Sequence, residues 1–379
     1  MTPRNRRVHL ELGPVLVNRT AVYQMCRAAT HELTARGFTV GSSALAARLN
    51  ADAEPATPAE RRRFDLSRRW LLDAAVNPTW FLKSRHLSGL WPRLRHARGT
   101  SVFFDPLYPL FFGSLDRGVV LAYDTTPVTD PDWHPPGVGR LYAAAYRFLA
   151  MRRFHIVCSS RNTADHLRVN WGFAPSRLTV LPLAAFPQQP PEVPAGKYPD
   201  APFFLFVGSL EPRKNVEGLI RAYDTSGVYA SHGIRLRLIG SAQAEDHPIA
   251  IAARSVRGVD VGGFGSAGEI TAGYRDCFAF VYPSLLEGFG LPLLEAMHHG
   301  CLCLSTVCGA SPEVSGDAAV YVDPYDSADV VRGLRRLVEM PAAERKRLQE
   351  AARARAALFS WSRFYDGLAD VLRNVAAAN

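Results

Sequence analysis

"FVGSLEPRKNVEGLIRAY", Phe206–Tyr223, is the stretch on which the reading of this chain turns. An apolar run closes at Val207, Gly208 allows a tight turn, and a helical pattern begins near Asn215. Strand, turn and helix in that order form half of a parallel βαβ unit. The turn also carries Arg213 and Lys214. Two cations beside a helix N-terminus oppose the positive end of its dipole. They fit there if an anion sits among them, because arginine offers a planar fork, lysine a point charge and the helix its N–H groups. A diphosphate meets that description. A solvated turn in which Glu211 is the local partner is the alternative.

A second stretch, "YPSLLEGFGLPLLEAMHHG" (Tyr282–Gly300), repeats the topology after the strand pattern "FAFVYPS". Its helix is expected near Leu291, with Pro292 at or close to the first helical position. Glu295 is then expected in the first turn and Glu287 on the approach loop. Gly288 and Gly290 leave the loop backbone open to a ligand. A capping carboxylate accounts for Glu295 but leaves Glu287 and the glycines without a purpose. A ligand rich in hydroxyls would use both carboxylates as acceptors. A diphosphate site and a polyol site on neighbouring strand ends together describe a nucleotide-diphosphate sugar.

Working outward, short apolar runs alternate with helical patterns along the whole chain. That pattern predicts parallel sheets flanked by helices. Strands are expected around Val8–Leu16, Ser101–Phe104, Val119–Tyr123, His155–Cys158 and Leu178–Leu181. Later ones are "FFLFVG", "RLRLIG", "FAFVYPS" and "CLCLSTV". Between the two series lies "LPLAAFPQQPPEVPAGKYPDAP", too proline-dense for helix or central strand, which reads as a linker. Gly37 closes an early helix at a C-cap-like position. The expectation is an α/β chain of two doubly wound domains facing each other across a cleft, the default place for a ligand.

The 379 residues are 47% hydrophobic, enough for a large core in two or three domains. Charge is less ordinary: 44 Lys+Arg against 35 Asp+Glu leaves +9. Much of the excess falls in Arg61–Arg98, interleaved with Trp70, Trp80, Phe81 and Trp91. This composition suits either a surface facing anionic lipid or a solvated helix face with its aromatics turned inward. No nucleic-acid motif accompanies it, so DNA and RNA are not expected partners. The six cysteines form no C-x-x-C pair; Cys301 and Cys303 read as buried thiols pointing the same way from one strand. A reducing, cytoplasmic setting follows. "RNRRVHLELGPVLV" reads as a first strand rather than a signal peptide, and no run approaches transmembrane length. Membrane contact would be peripheral, at the inner face.

Three motifs in order, "FVGSLEPRKN", "YPSLLEGFGLPLLEAM" with its Glu-x7-Glu spacing, and "GASPEVSGDAAVYVDPYD", resemble glycosyltransferase family 4, retaining enzymes of the GT-B fold. "FHIVCSSRNTADHLRVNWGFAPSRLTVLPL" is similar to the family's last N-domain strand and helix. The likeness is strong from about His155 to Asp326 and weak before it. It implies a Rossmann-like acceptor domain over 1–185, a linker over 186–200 and a Rossmann-like donor domain over 201–358. A terminal helix over 359–379 would return to the N-domain. By position, Arg213 and Lys214 would bind the donor diphosphate and stabilise the leaving group, beside Gly208. Glu287 would meet the hydroxyls of the transferred sugar, and Glu295 those of the ribose. Gly288 and the backbone N–H groups at Phe289, Gly290 and Leu291 would lie near sugar and phosphate. Glu313 is a further position for ordering this wall.

The resemblance also implies front-face attack with retention, no protein nucleophile, no metal and no cofactor beyond the nucleotide-diphosphate sugar itself. "DPD" at Asp130–Asp132 imitates a metal-binding Asp-x-Asp but reads as an acidic turn. Two places depart from the family. The glycine-rich loop after the first strand is replaced by Asn18, Arg19 and Thr20, where Arg19 would supply charge or the loop would serve the acceptor. The usual His-Asp becomes Tyr123-Asp124, where Asp124 orients the acceptor or caps the next turn. The implied activity is transfer of a hexose or deoxyhexose, mannose by analogy with bacterial polysaccharide mannosyl- and rhamnosyltransferases, to a glycan or lipid-linked acceptor. A non-catalytic sugar-nucleotide binder and an epimerase of the same gross fold are the other readings.

Overall fold

The computed structural model describes residues 7–11, 21–42, 99–112, 117–186, 202–240, 248–263 and 265–378. Asn18, Arg19, the Arg61–Arg98 segment and the proline-dense stretch from 187 to 201 lie outside the described residues. The chain divides into two units, Met1–Pro182 with Ser362–Asn379, and Leu183–Trp361.

The first unit holds a six-stranded sheet of β1 (Arg7–Glu11), β2 (Thr39–Ser42), β3 (Thr100–Phe103), β4 (Arg117–Ala122), β5 (Arg153–Cys158) and β6 (Leu178–Val180). Every pairing is parallel, in the order β2-β1-β3-β4-β5-β6. The helices are α1 (Ala21–Ala35), α2 (Leu107–Phe112), α3 (Thr126–Thr129), α4 (Val138–Ala150) and α5 (Arg161–Trp171). Local chemistry sets their limits. Ser160 Oγ accepts from Thr163 N at the start of α5, and Gly172 ends that helix in the left-handed region. Central strands β4 and β5 bury nearly every residue, as strands covered by helices on both faces do.

The second unit repeats the plan with β7 (Phe203–Val207), β8 (Arg235–Ile239), β9 (Val259–Val261), β10 (Ala279–Val281), β11 (Cys303–Thr306) and β12 (Val320–Val322). Its order is β12-β11-β10-β7-β8-β9, again all parallel. Its helices are α6 (Val216–Ser226), α7 (Val228–His232), α8 (Pro248–Ser255), α9 (Ala267–Asp276), α10 (Leu291–His299), α11 (Ser311–Ser315), α12 (Ser327–Glu339) and α13 (Ala342–Ala356). The strand order reverses between β7 and β10, where a doubly wound sheet opens a crevice at its carboxyl edge. The last helix, α14 (Trp361–Ala377), packs in the first unit. There Tyr365 Oη donates to Met25 O at 2.9 Å, and Arg36 Nε to Asp366 Oδ1 at 2.8 Å.

Three strands, β2, β9 and β12, have no counterpart in the sequence reading. Each is three or four residues long and stands at or next to a sheet edge, so none carries the long apolar run that betrays a buried strand. One expectation needs correction. Cys301 precedes β11 rather than sharing it with Cys303; its thiol lies 3.7 Å from that of Cys277 and donates to Tyr274 O.

Candidate functional site: a buried ion cluster at the β7/β10 switch

β7 is buried from end to end, and the chain leaves it through Gly208, whose N–H bonds Ile239 O at 3.0 Å. A single 3₁₀ turn, Pro212–Lys214, follows, and Asn215 takes a left-handed conformation (φ 54°) before α6 begins at Val216. Asn215 is the one non-glycine residue at positive φ among the described residues, and its Nδ2 donates to Pro324 O at 3.0 Å. This turn faces the loop that leaves β10, and Leu285 N bonds Arg213 O at 2.8 Å. The two sequence motifs are therefore brought together by the pairing of β7 with β10.

Between them lies an ion cluster. Lys214 Nζ donates to Glu287 Oε1 at 2.6 Å, and Arg213 Nη1 to Glu287 Oε2 at 3.0 Å. Arg213 Nε donates to Glu211 Oε2 at 2.8 Å. Lys214 also donates to Tyr282 Oη, and that ring stacks on Phe206 at 5.7 Å. The side chains of Lys214 and Glu287 are 6% and 5% exposed, whereas that of Arg213 is 17% exposed. A solvated turn is excluded, because a lysine this deep requires its partners. Burial pushes the Glu287 carboxyl up, yet the charges of Lys214 and Arg213 overcome it and hold the group down at about 2.

The loop's backbone is as constrained as its side chain. Ala310 N donates to Glu287 O at 2.9 Å, and Gly309 (φ 61°) passes so close that a Cβ there would stand 2.7 Å from Glu287 O. Only glycine fits that approach without displacing the loop. Phe289 turns inward and meets Phe359 edge-on at 6.0 Å. Gly290 (φ 95°) caps α10, with Leu291 its first residue and Pro292 its second. No hydrogen-bond partner occupies the N–H groups of Phe289, Gly290 and Leu291 among the described residues. Gly288 lies between this turn and Glu287. Glu313 stands in the first turn of α11, its carbonyl accepting from Arg355 Nη2 at 2.6 Å.

Glu295 departs from expectation. It falls in the second turn of α10, and its carboxylate caps nothing. Instead it accepts from Tyr274 Oη, contributed by α9, at 3.1 Å. Burial raises it to about 7, with the tyrosine hydrogen bond opposing. Glu287 is thus held below the usual carboxylate range and Glu295 above it. Tyr282 and Tyr274, which anchor Lys214 and Glu295, were not singled out in the sequence; a buried tyrosine hydroxyl needs a partner.

In the first unit, Tyr123 and Asp124 leave the end of β4. Asp124 Oδ1 accepts from both Thr126 N (3.2 Å) and Thr126 Oγ1 (3.1 Å), closing the turn into α3. Tyr146 Oη holds its carbonyl at 2.9 Å. The Tyr123 hydroxyl is buried without a partner among the described residues. Two histidines reach the same turn: His134 Nε2 lies 3.0 Å from Thr126 Oγ1, and His166 Nδ1 lies 2.8 Å from Thr125 Oγ1. Asp105, after β3, accepts from Leu107 N and Tyr142 Oη and is pushed up to about 6 by burial, with the charge of Asp124 adding. Sequence reading singled out neither histidine nor Asp105, although His166 lies within the stretch similar to the family's last N-domain strand and helix.

Two parallel six-stranded sheets with flanking helices define the class: this is a GT-B glycosyltransferase fold. Sucrose-phosphate synthase from Thermosynechococcus elongatus superposes over 99% of this chain and 100% of its own, with a TM-score of 0.68 at 16% identity. WaaG, a glycosyltransferase involved in lipopolysaccharide biosynthesis, superposes over 97% and 99%, with a TM-score of 0.64 at 17% identity. Residues 192–355, which fall in the second unit, match the family "Glycosyl transferases group 1". The O-antigen chain mannosyltransferase B of Escherichia coli is 29% identical over 265 residues, 65% of this chain and 69% of the relative. The serotype-specific mannosyltransferase WbdA of Escherichia coli is 33% identical over 165 residues, 42% of this chain but only 20% of the relative.

Proposed function

We propose that the protein is a retaining, metal-independent glycosyltransferase that moves mannose from a nucleotide-diphosphate sugar to a glycan or lipid-linked acceptor in cell-surface polysaccharide synthesis. The observation that carries this reading is the Arg213–Lys214–Glu287 cluster at the β7/β10 switch point, beside the N-terminus of α10. The mannosyltransferases among its relatives motivate the choice of sugar.

Each part has a physical task. The donor diphosphate takes its place by Arg213, the member of the cluster that reaches solvent, and by the N–H groups of the α10 N-terminus. Lys214, whose ionisation burial disfavours and Glu287 favours, supplies a positive charge that stabilises the phosphate oxygen as the glycosidic bond breaks. Glu287 is held by two cations, so both of its oxygens are engaged and it is a poor nucleophile. That supports front-face attack, in which the departing phosphate oxygen takes the proton of the acceptor hydroxyl. Glu287 then serves the sugar hydroxyls as an acceptor, and Glu295 serves those of the ribose. Asp124, with His134 beside it through Thr126, orients the acceptor in the first unit. The Arg61–Arg98 segment brings the enzyme to anionic membrane.

The test is a thermal-shift screen of GDP-, UDP- and dTDP-sugars. A donor at 100 times its Kd raises stability by about 2.7 kcal/mol. One class of nucleotide sugar should stabilise the wild type and fail to stabilise Arg213→Ala. A flat response to all of them, with no transfer, contradicts the proposal.

A further inference from the structure

Two of the chain's six cysteines meet beside the donor cluster. Cys277 is the residue that follows α9, and Cys301 comes after Gly300, which ends α10. They are 24 positions apart in sequence, and their sulfurs are 3.7 Å apart. Cys303, the first residue of β11, turns its thiol to Cys301 O at 3.4 Å. Cys301 is buried and Cys277 half-buried, so one member of the pair is within reach of solvent.

Helix capping explains part of this arrangement. Cys277 N bonds Gly273 O, and Phe278 N is drawn to Phe203 O, so no backbone donor is left for Tyr274 O in the last turn of α9. Cys301 Sγ donates to that carbonyl at 3.0 Å, and Cys277 Sγ approaches it at 3.5 Å. One thiol is enough for the cap. The second, in contact with the first, adds a chemistry that a hydroxyl would lack: the two sulfurs can join by closing from 3.7 Å to about 2.0 Å.

What lies between them gives that bond a consequence. The segment from Cys277 to Cys301 holds β10, Tyr282, Glu287 and all of α10 with Glu295. Tyr274 touches both ends of the matter, since its carbonyl takes the Cys301 proton and its hydroxyl donates to Glu295 at 3.1 Å. Its ring stacks on His299 of α10 at 5.6 Å. A bond between the sulfurs strips both S–H donors from Tyr274 O and draws the end of α9 towards α10. The change reaches Glu295 through a single residue.

We infer that Cys277 and Cys301 form a reversible oxidation site, which a hydroperoxide converts to a disulfide that weakens nucleotide-sugar binding. Both S–H bonds break and one S–S bond forms. Two protons and two electrons pass to the peroxide, whose O–O bond breaks to give an alcohol and water, or two waters from hydrogen peroxide. A dithiol reductant reverses the step by exchange. The hydrogen bond to Cys301, together with burial, holds the Cys277 thiol well above its usual range, so oxidation is slow. The inference rests on the donor reading for its consequence and on the thiol geometry alone for its place.

The experiment treats the full chain with hydrogen peroxide, counts alkylatable thiols in the unfolded protein by mass, and titrates the folded protein with nucleotide sugar. Peroxide should remove two thiols, and dithiothreitol should restore both. Cys303→Ser keeps this paired loss, whereas Cys277→Ser, Cys277→Ala and Cys301→Ser abolish it. The nucleotide-sugar Kd of the oxidised wild type rises about fivefold, the scale of one lost hydrogen bond. Peroxide leaves the Kd of Cys277→Ser unchanged. No paired loss, a paired loss that persists in Cys277→Ser, or equal donor affinity in the oxidised and reduced wild type overturns the inference. A reduced wild type that binds no nucleotide sugar counts against the donor reading instead, and the thiol count still decides whether the site exists.

Discussion

Glu287→Gln removes one charge from a cluster of two cations and two carboxylates without changing its shape. In the wild type the carboxyl is held at about 2 against a usual 4.5. At about 1.4 kcal/mol per pH unit, that gap is worth about 3 kcal/mol of folding stability. Breaking a buried pair by removing one partner gives about 3–5 kcal/mol by an independent route. The lower figure applies here, because Arg213 keeps Glu211 and Lys214 keeps Tyr282. The sign follows from the depressed folded value. Stability from Glu287 is fully present above 4.5 and is lost as pH falls through about 2. Urea unfolding of wild type and Glu287→Gln, followed at pH 7, 5 and 3, reads the difference, since titrating groups outside the cluster cancel. The gap should be about 3 kcal/mol at pH 7, almost as large at pH 5, and smaller by roughly 2 kcal/mol at pH 3. A gap below 1 kcal/mol, or one that does not change with pH, refutes the reasoning.

Glu295→Gln should act in the opposite sense. With the folded group raised to about 7, ionisation costs stability as pH climbs from 4.5 through 7, so the glutamine variant gains on wild type between pH 5 and pH 8. Thermal unfolding at the two pH values checks this, and an unchanged difference contradicts it. Gly309→Ala places a methyl 2.7 Å from Glu287 O at a positive φ, so it should lower stability by about 2 kcal/mol and weaken nucleotide-sugar binding. Retained affinity would show that the loop tolerates displacement. The Arg61–Arg98 segment should carry the protein down with anionic vesicles at low salt; equal recovery in the supernatant with anionic and neutral lipid sinks that idea.

Much of the second unit was legible because its strands announce themselves. "FFLFV" and "FAFV" are apolar runs that end in a turn and a helix, and the turn residues are the chemical ones. Sheet order was not legible. Glu287 stands 73 and 74 positions from its two cations, and only the pairing of β10 with β7 makes them neighbours. Two cations near a helix start therefore read as a vacancy for an anion, when a carboxylate of the chain already lies among them. Glu295 shows the same limit: its partner Tyr274 arrives from α9 by helix packing, for which no spacing rule exists. In the first unit, His134 and His166 meet the turn after β4 from separate elements, and no spacing in the sequence pairs them with it.

The central claim is that the Arg213–Lys214–Glu287 cluster binds and activates a nucleotide-diphosphate sugar. Its most direct test is single-turnover transfer from nucleotide-diphosphate mannose to a manno-oligosaccharide, comparing wild type with Lys214→Ala under conditions where both are folded. The account predicts transfer by the wild type with the anomeric configuration kept, and a fall of about a hundredfold or more in Lys214→Ala, the scale of removing one fixed donor from a developing anion. Donor binding without transfer in the wild type, or transfer undiminished in Lys214→Ala, would contradict it.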